Sequence, residues 1–463
     1  MYEEIEVDGE GENRELKLST PLTKLSERWV NHLKNHLEGL LERRLAITQI
    51  QRDEIGRAVA IFEAINKGGQ PLTTYDLLVA KSSPGLDSAS LSTRIKDIVN
   101  AEMEIPRFVS NRYFDSKAGE GHEYALWSAS KMGVFDDNEP SSQFKDWFIN
   151  VLSLLVHVDK YGLEPSTQIM KRDKILSMST SDISENYGLA VKAIIRSLAF
   201  LQLRCGVIEA RNLPYNLMLV VIAFFFSKDE IWKSDKAHSR IEQWYWLSLF
   251  SGEYSKSQND RAIQDIRQRL RLFIESKDVH SENVFDSLLN NVLSYDGYAT
   301  EDILLRKDDV TGIEPKSVQS AILQFILSKN IPDFVSGGGF RSLSAWDVAN
   351  GDLKLHKHHI IPLGAVSSIG ESSSAIRADK KHILNSPLNL IYISDEANRA
   401  ISDDPIDSYL PKIENFSGSL GGIPDIKTVK EAVQNGTQEG YAEVLRGRYN
   451  RIRERVIDRV RSL

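Results

Sequence analysis

Apolar positions early in the chain recur at helical spacing. Leu22, Leu25, Trp29, Leu33, Leu37, Leu40 and Leu41 follow Pro21, a residue suited to a first helical position. The period then changes. Leu45 to Gln51 alternates like a strand, Asp53 is suited to cap a helix whose Ile55, Ala58, Val59 and Phe62 share one face, and Gly68 with Gly69 stops it. A further helix restarts after Pro71, Leu72 and Thr73. From about Leu91 to Lys329 the period is mostly helical, with Trp127, Trp147, Trp232, Trp244 and Trp246 spread among amphipathic runs and few strand signals. Ser336, Gly337, Gly338 and Gly339 read as a hinge rather than a phosphate cradle, because no strand and helix flank them.

Beyond the hinge, alternation returns. Leu353 to Leu363 is strand-like and is ended by Pro362, a polar loop runs from Gly364 to Asn385, and Leu388 to Ile393 alternates again. Ser394 is a good N-cap for a helix from Asp395 to Ile401, so the order is strand, loop, strand, helix. Between Tyr441 and Leu463, Val444, Leu445, Tyr449, Ile452, Val456 and Val460 form a core-facing stripe on a segment with seven arginines. That segment is expected to be a packed helix first and a DNA-facing one second. The pattern predicts a mainly α fold with a small α+β part, in three regions: 1–90, an α-helical middle at 91–334, and 335–463.

Composition narrows the class. With 463 residues, 41% apolar and 26% charged, the chain is an ordinary globular one, not a disordered, collagenous or disulfide-built one. A net charge of −8 argues against wholesale wrapping of nucleic acid but leaves room for a local basic site. The single cysteine, Cys205, excludes an internal disulfide and a Cys-rich zinc site, and reads as a small buried hydrophobe in a reducing cytoplasm. The longest apolar run, Leu217 to Phe226, is about half the ~20 residues of a spanning helix, and Glu3, Glu4 and Glu6 lack signal-peptide character. A soluble cytoplasmic protein with no membrane partner is expected. There is no phosphate-loop motif, no Cys-x-x-Cys pair and no fixed-period repeat.

Four of the ten histidines, His356, His358, His359 and His382, fall within 27 residues. Neighbours on a strand point to opposite sides, so His358 and His359 suit two different jobs around one reacting group better than joint chelation. An imidazole and an amide oxygen, with water and phosphate oxygens filling the rest, make a workable open site for a hard cation, and Asn398 lies on the first turns of the helix after Ser394. The second histidine is then free to take a proton from water. A competing arrangement uses His356 and His358, which share a strand face, with His382 as a third zinc ligand; it leaves Asn389 and Asn398 without a role.

His358-His359-Ile360-Ile361-Pro362, then Asn389-Leu390, then Asn398, resembles the His-Asn-His (HNH, ββα-metal) nuclease motif. The resemblance implies that His358 and Asn398 ligate the metal, that His359 is the general base, and that Asn389 fixes the base-bearing loop through backbone contacts. Asn398-Arg399-Ala400-Ile401 followed by Pro405 and Tyr409-Leu410 also resembles the C-terminal nuclease domain of GmrSD-type, modification-dependent (type IV) restriction enzymes. Phe62-Glu63-Ala64-Ile65-Asn66-Lys67-Gly68-Gly69-Gln70-Pro71-Leu72-Thr73 is similar to the signature near the end of the ParB-like sensor and NTPase domain of that family.

The family's upstream Asp-Gly-Gln-Gln-Arg motif is absent, Asp8-Gly9-Glu10 being no match, so residues 1–90 are expected to be the C-terminal portion of that domain. Nucleotide use is not expected of this chain, and Asn66 with the two glycines reads as a helix C-cap. Arg377, Lys380, Lys381 and Arg399 flank the site and are candidate phosphate contacts or solvated loop charges. The expected activity is a Mg²⁺- or Mn²⁺-dependent DNA endonuclease of the phage-defence type, with DNA, base-modified phage DNA included, as its substrate. A DNA-binding or regulatory subunit that needs a partner chain carrying the missing sensor portion, and an RNA-cleaving toxin using the same site, remain alternatives.

Overall fold

The computed structural model describes residues 5–8, 15–18, 22–42, 72–82, 89–110, 113, 123–136, 139–275, 279–294, 315–328, 333, 343–364, 372–379, 382–401 and 426–463. The chain divides into two compact units, Met1–Ile65 and Asn66–Leu463. In the first, β1 (Ile5–Asp8) pairs antiparallel with β2 (Glu15–Leu18), and α1 spans Leu22–Leu41 as its periodicity requires. The strand expected at 45–51, the helix from Asp53, the signature at 62–71 with Asn66, the glycine run at 336–339, and Pro405 with Tyr409-Leu410 lie outside the described residues.

The second unit opens with α2 (Thr74–Lys81), started by a capping box in which the Asp76 amide donates to Thr73 Oγ1 and the Thr73 amide donates to Asp76. Lys81 Nζ donates to the Leu176 carbonyl at 2.8 Å, and Thr180 Oγ1 donates to the Lys81 carbonyl at 3.1 Å. These bonds tie α2 to the helical body, so the division falls at residues 65 and 66 rather than near 90. After α3 (Leu91–Asn100), β3 (Met103–Pro106) pairs antiparallel with β4 (Tyr124–Trp127). Four residues are too few for alternation to declare a strand. Tertiary bonds hold this ladder instead: Trp127 Nε1 donates to Gln202 Oε1 at 2.9 Å and Tyr113 OH to the Leu126 carbonyl.

The core is built on α4 (Ser142–Leu154), α5 (Thr180–Leu203), α6 (Asn216–Phe226) and α7 (Asp235–Phe250). α6 is apolar on all sides, and every residue from Met218 to Phe226 is buried, as a helix surrounded by others must be. Among the described residues no helix is long and apolar enough to cross a membrane. The fold is predominantly helical, as the periodicity predicts.

His238 on α7 lies inside this core against Phe108, Phe200, Phe226 and Trp232, with ring centroids 4.7–5.7 Å away, and its Nε2 is 2.9 Å from the Trp232 carbonyl. Burial, helped by the positive charges of Arg204 and Arg196, pushes the imidazole down to about 3. The unfolded chain takes up this proton below the ordinary pKa near ~6.5 and the folded chain does not, so stability falls as pH drops from that value towards 3. Relative to pH 7, the His238 contribution at pH 5 is expected to cost about 2 kcal/mol. Denaturant titrations at the two pH values check this: His238→Gln, which does not titrate, should remove that share of the acid loss, and an unchanged pH slope would refute it.

The helical body and the C-terminal strands share one core. α8 (Pro315–Leu327) sets Phe325 edge-on to Trp246 at 5.1 Å, and Gln324 Nε2 donates to the Tyr245 hydroxyl. Gly206 lets the chain pass the end of α8 at φ +74°, where a Cβ would lie 2.5 Å from the Gln324 carbonyl oxygen. α8 also packs on β6 (Leu390–Ser394), which pairs antiparallel with β5 (Leu355–His359). Then follow α9 (Asp395–Ile401), α10 (Ile426–Asn435) and α11 (Gln438–Ser462). α11 returns to the helical body, where Arg453 Nε donates to the Val292 carbonyl at 3.0 Å and Arg459 meets Glu242 of α7. α11 thus ties the C-terminal region back to the helical body.

Candidate functional site

β5 and β6 place Leu355 opposite Ser394, His358 opposite Ile391 and His359 opposite Leu390. The strand, loop, strand, helix order is present, with two refinements. The intervening loop holds a short helix at Ser373–Ala378, and Pro387–Asn389 is a 3-10 turn that delays β6 to Leu390. Ser394 caps α9 as expected, its Oγ accepting from the Ala397 amide at 3.0 Å.

Asn389 is fully buried at the point where the two strands meet. Its Oδ1 accepts from the Ile361 amide at 2.8 Å, and its Nδ2 donates to the Ile361 carbonyl at 3.1 Å and to the Leu384 carbonyl at 2.8 Å. Its main-chain carbonyl accepts from the Ile360 amide at 2.8 Å. A buried amide earns its place only when its donors and acceptor are all used, and these are. The two residues that follow His359 are thereby pinned by one residue, Ile361 through its side chain and Ile360 through its main chain, which limits the freedom of His359 itself.

His358 and His359 are both half-buried. Burial pushes each imidazole down to about 4; for His359 the neighbouring His358 and the Arg377 guanidinium add to the shift. Both rings are neutral at pH 7, each with a lone pair on one nitrogen. Arg377, exposed on the short helix of the loop, is thus within electrostatic reach of His359. Lys380 and Lys381 lie outside the described residues. Arg399 is exposed, but its Nη2 pairs with Asp395 Oδ2 at 2.7 Å, so part of its charge is already answered.

Asn398 is half-buried on α9, which packs on both strands. His356 Nε2 lies 2.7 Å from Asp395 Oδ1. His356 and His358 share a strand face, and Asp395 and Asn398, three apart, share a helix face, so this bond turns the Asn398 side of the helix towards the His358 side of the sheet. It also commits His356 to a carboxylate. His382 Nδ1 accepts from the Leu384 amide at 3.2 Å. Among the described residues no three His, Cys, Asp or Glu side chains converge as a metal site, which leaves the His356, His358 and His382 zinc arrangement without geometric support.

Two contributions are not evident in the motif. Asp395 is one, as partner of His356. Arg448 on α11 is the other, fully buried with Nη1 donating to the Leu388 and Leu390 carbonyls, the second at 2.9 Å. A signal for it exists: Arg448 falls three and four residues from Leu445, Val444 and Ile452, inside the apolar stripe, where a charge must be buried.

No family profile matches the chain, and no solved structure matches it. An uncharacterized protein of Methanocaldococcus jannaschii is 22% identical over 435 residues, which cover 91% of this chain and 62% of that protein. The chain thus spans less than two thirds of the length of this relative.

Proposed function

We propose that the chain is a divalent-metal-dependent DNA endonuclease of the HNH, ββα-metal type, acting in modification-dependent restriction. The observation that carries this reading is the Asn389 clasp. One buried amide, placed at the start of the second strand, holds the backbone that follows the histidine pair, as the motif requires of its middle residue. The helix capped by Ser394 carries Asn398.

The donor set suits a hard cation. His358, held neutral, offers a ring nitrogen, and Asn398 offers an amide oxygen; two neutral ligands leave room for water and phosphate oxygens. Mg²⁺ or Mn²⁺ bound there would offset the charge that develops on a phosphodiester under attack. His359 accepts the proton of the attacking water, Asn389 keeps its loop in place, and Arg377 adds positive charge for the phosphate. Residues 1–90 would be the C-terminal portion of a ParB-like sensor domain, and a partner chain would select modified DNA.

Incubating the purified chain with modified DNA, plain DNA and RNA, with Mg²⁺ or Mn²⁺ and with EDTA, tests the reading. Cleavage of DNA that stops in EDTA is expected, and His358→Ala and Asn398→Ala should each weaken metal-dependent activity by about 10- to 100-fold. RNA cleavage alone would turn the assignment to a ribonuclease. DNA binding without cleavage would turn it to a regulatory subunit.

A further inference from the structure

Two strands make a small sheet, and among the described residues β6 pairs with β5 on one edge and with no strand on the other. In an extended chain successive carbonyls point to opposite edges. Here the Asn389 carbonyl points to the β5 side, where it accepts from Ile360, so the Leu390 carbonyl that follows it in the strand faces away, and the Leu388 carbonyl belongs to the preceding 3-10 turn. Both are taken by Nη1 of Arg448, whose side chain is fully buried. The two hydrogens of one nitrogen stand in for the donors that a third strand would supply.

Packing alone does not explain an arginine at this place. A leucine or methionine would continue the stripe of Val444, Leu445, Ile452 and Val456 without the penalty of burying a cation. The charge is spent on two main-chain oxygens that flank the residue holding the loop after His359. The Leu388 bond fixes the peptide plane that enters Asn389 and the Leu390 bond fixes the plane one residue beyond it, while the plane between is held by the Ile360 amide, so the backbone that aims the Asn389 side-chain amide is fixed on both sides.

We propose that Arg448 is a positioning residue of the site: by holding the Leu388 and Leu390 carbonyls it aims the Asn389 amide at the Ile361 backbone. What that loop is for rests on the nuclease reading; the link from Arg448 to the loop does not. α11 carries the same helix on to Arg459 and Glu242, so the clamp is anchored in the helical body.

Arg448→Met removes every donor at nearly the same bulk, and Arg448→Lys keeps a cation one atom shorter. Hydrogen exchange of the full chain, read on the peptide covering residues 358–364, should be at least ~10-fold faster in Arg448→Met and intermediate in Arg448→Lys, with α5 and α6 unchanged. In the cleavage assay, kcat should fall ~10- to 100-fold in Arg448→Met with KM within about twofold, and Arg448→Lys should recover part of it. Unchanged protection in that peptide, or acceleration spread evenly over the helical body, would overturn the proposal. If the unaltered chain cuts no nucleic acid, the nuclease reading fails, and the exchange measurement still decides the role of Arg448.

Discussion

His359→Ala should lower metal-dependent DNA cleavage by at least ~10²-fold, the low end of what a positioned general base contributes. The argument begins with geometry. His359 closes β5, and the next two residues are bonded to Asn389 by three hydrogen bonds, so the ring is presented from a fixed backbone. Burial keeps it neutral, and a phosphodiester anion drawn beside it favours the protonated form and raises its pKa, which improves it as a base when substrate is present. Alanine leaves Asn389, Ile360 and Ile361 in place, so the fold and the metal affinity should change little. Single-turnover cleavage, run beside Mn²⁺ binding and a thermal melt, separates these effects. Full activity in the variant would remove His359 from the mechanism.

The site was legible to different depths for physical reasons. The helix after Ser394 could be read because capping is local: one hydroxyl and an amide three residues away. Asn389 could be matched to a motif, but its partners Ile360, Ile361 and Leu384 lie on two separate segments and no spacing rule names Leu384 among them. His356 is the instructive case. Strand alternation places it beside His358, which suggests a shared ligand role, whereas the structure gives it to Asp395, 39 residues away. The short ladder of β3 and β4 and the buried Arg448 share that cause: long-range bonds decide them, and periodicity reports only which face a residue takes. The ties of α2 to the helical body are long-range as well: Lys81 reaches the Leu176 carbonyl, 95 residues away in the chain, and Thr180 reaches the Lys81 carbonyl, 99 residues away. Conversely, α6 and the stripe on α11 were plain, since burial on all sides or on one side is written directly in the order of apolar residues.

Glu242→Gln should cost about 3 kcal/mol of stability, because it strips the shared counter-charge from two arginines in the interior. Glu242 is 1% exposed. Its carboxylate accepts from Arg204 Nε at 2.6 Å, from Arg459 Nε and Nη2 at 2.7 Å each, and from Trp246 Nε1 at 3.1 Å. Burial pushes the carboxyl up, but the two guanidiniums outweigh it and hold the net value below the usual range. Glutamine keeps the shape and can answer part of the hydrogen bonding, yet it leaves two positive charges facing each other. Arg204 is the more buried, at 11% exposed, whereas Arg459 at 32% can turn partly to water, so the low end of the range for broken buried pairs applies. Because Arg459 and the Gln243 bond to the Val460 carbonyl anchor the end of α11, the loss should be local before it is global. Denaturant unfolding measures the total, and hydrogen exchange over residues 449–463 locates it. A change below about 1 kcal/mol, the size of an ordinary surface pair, would show that α11 is held by its apolar stripe alone.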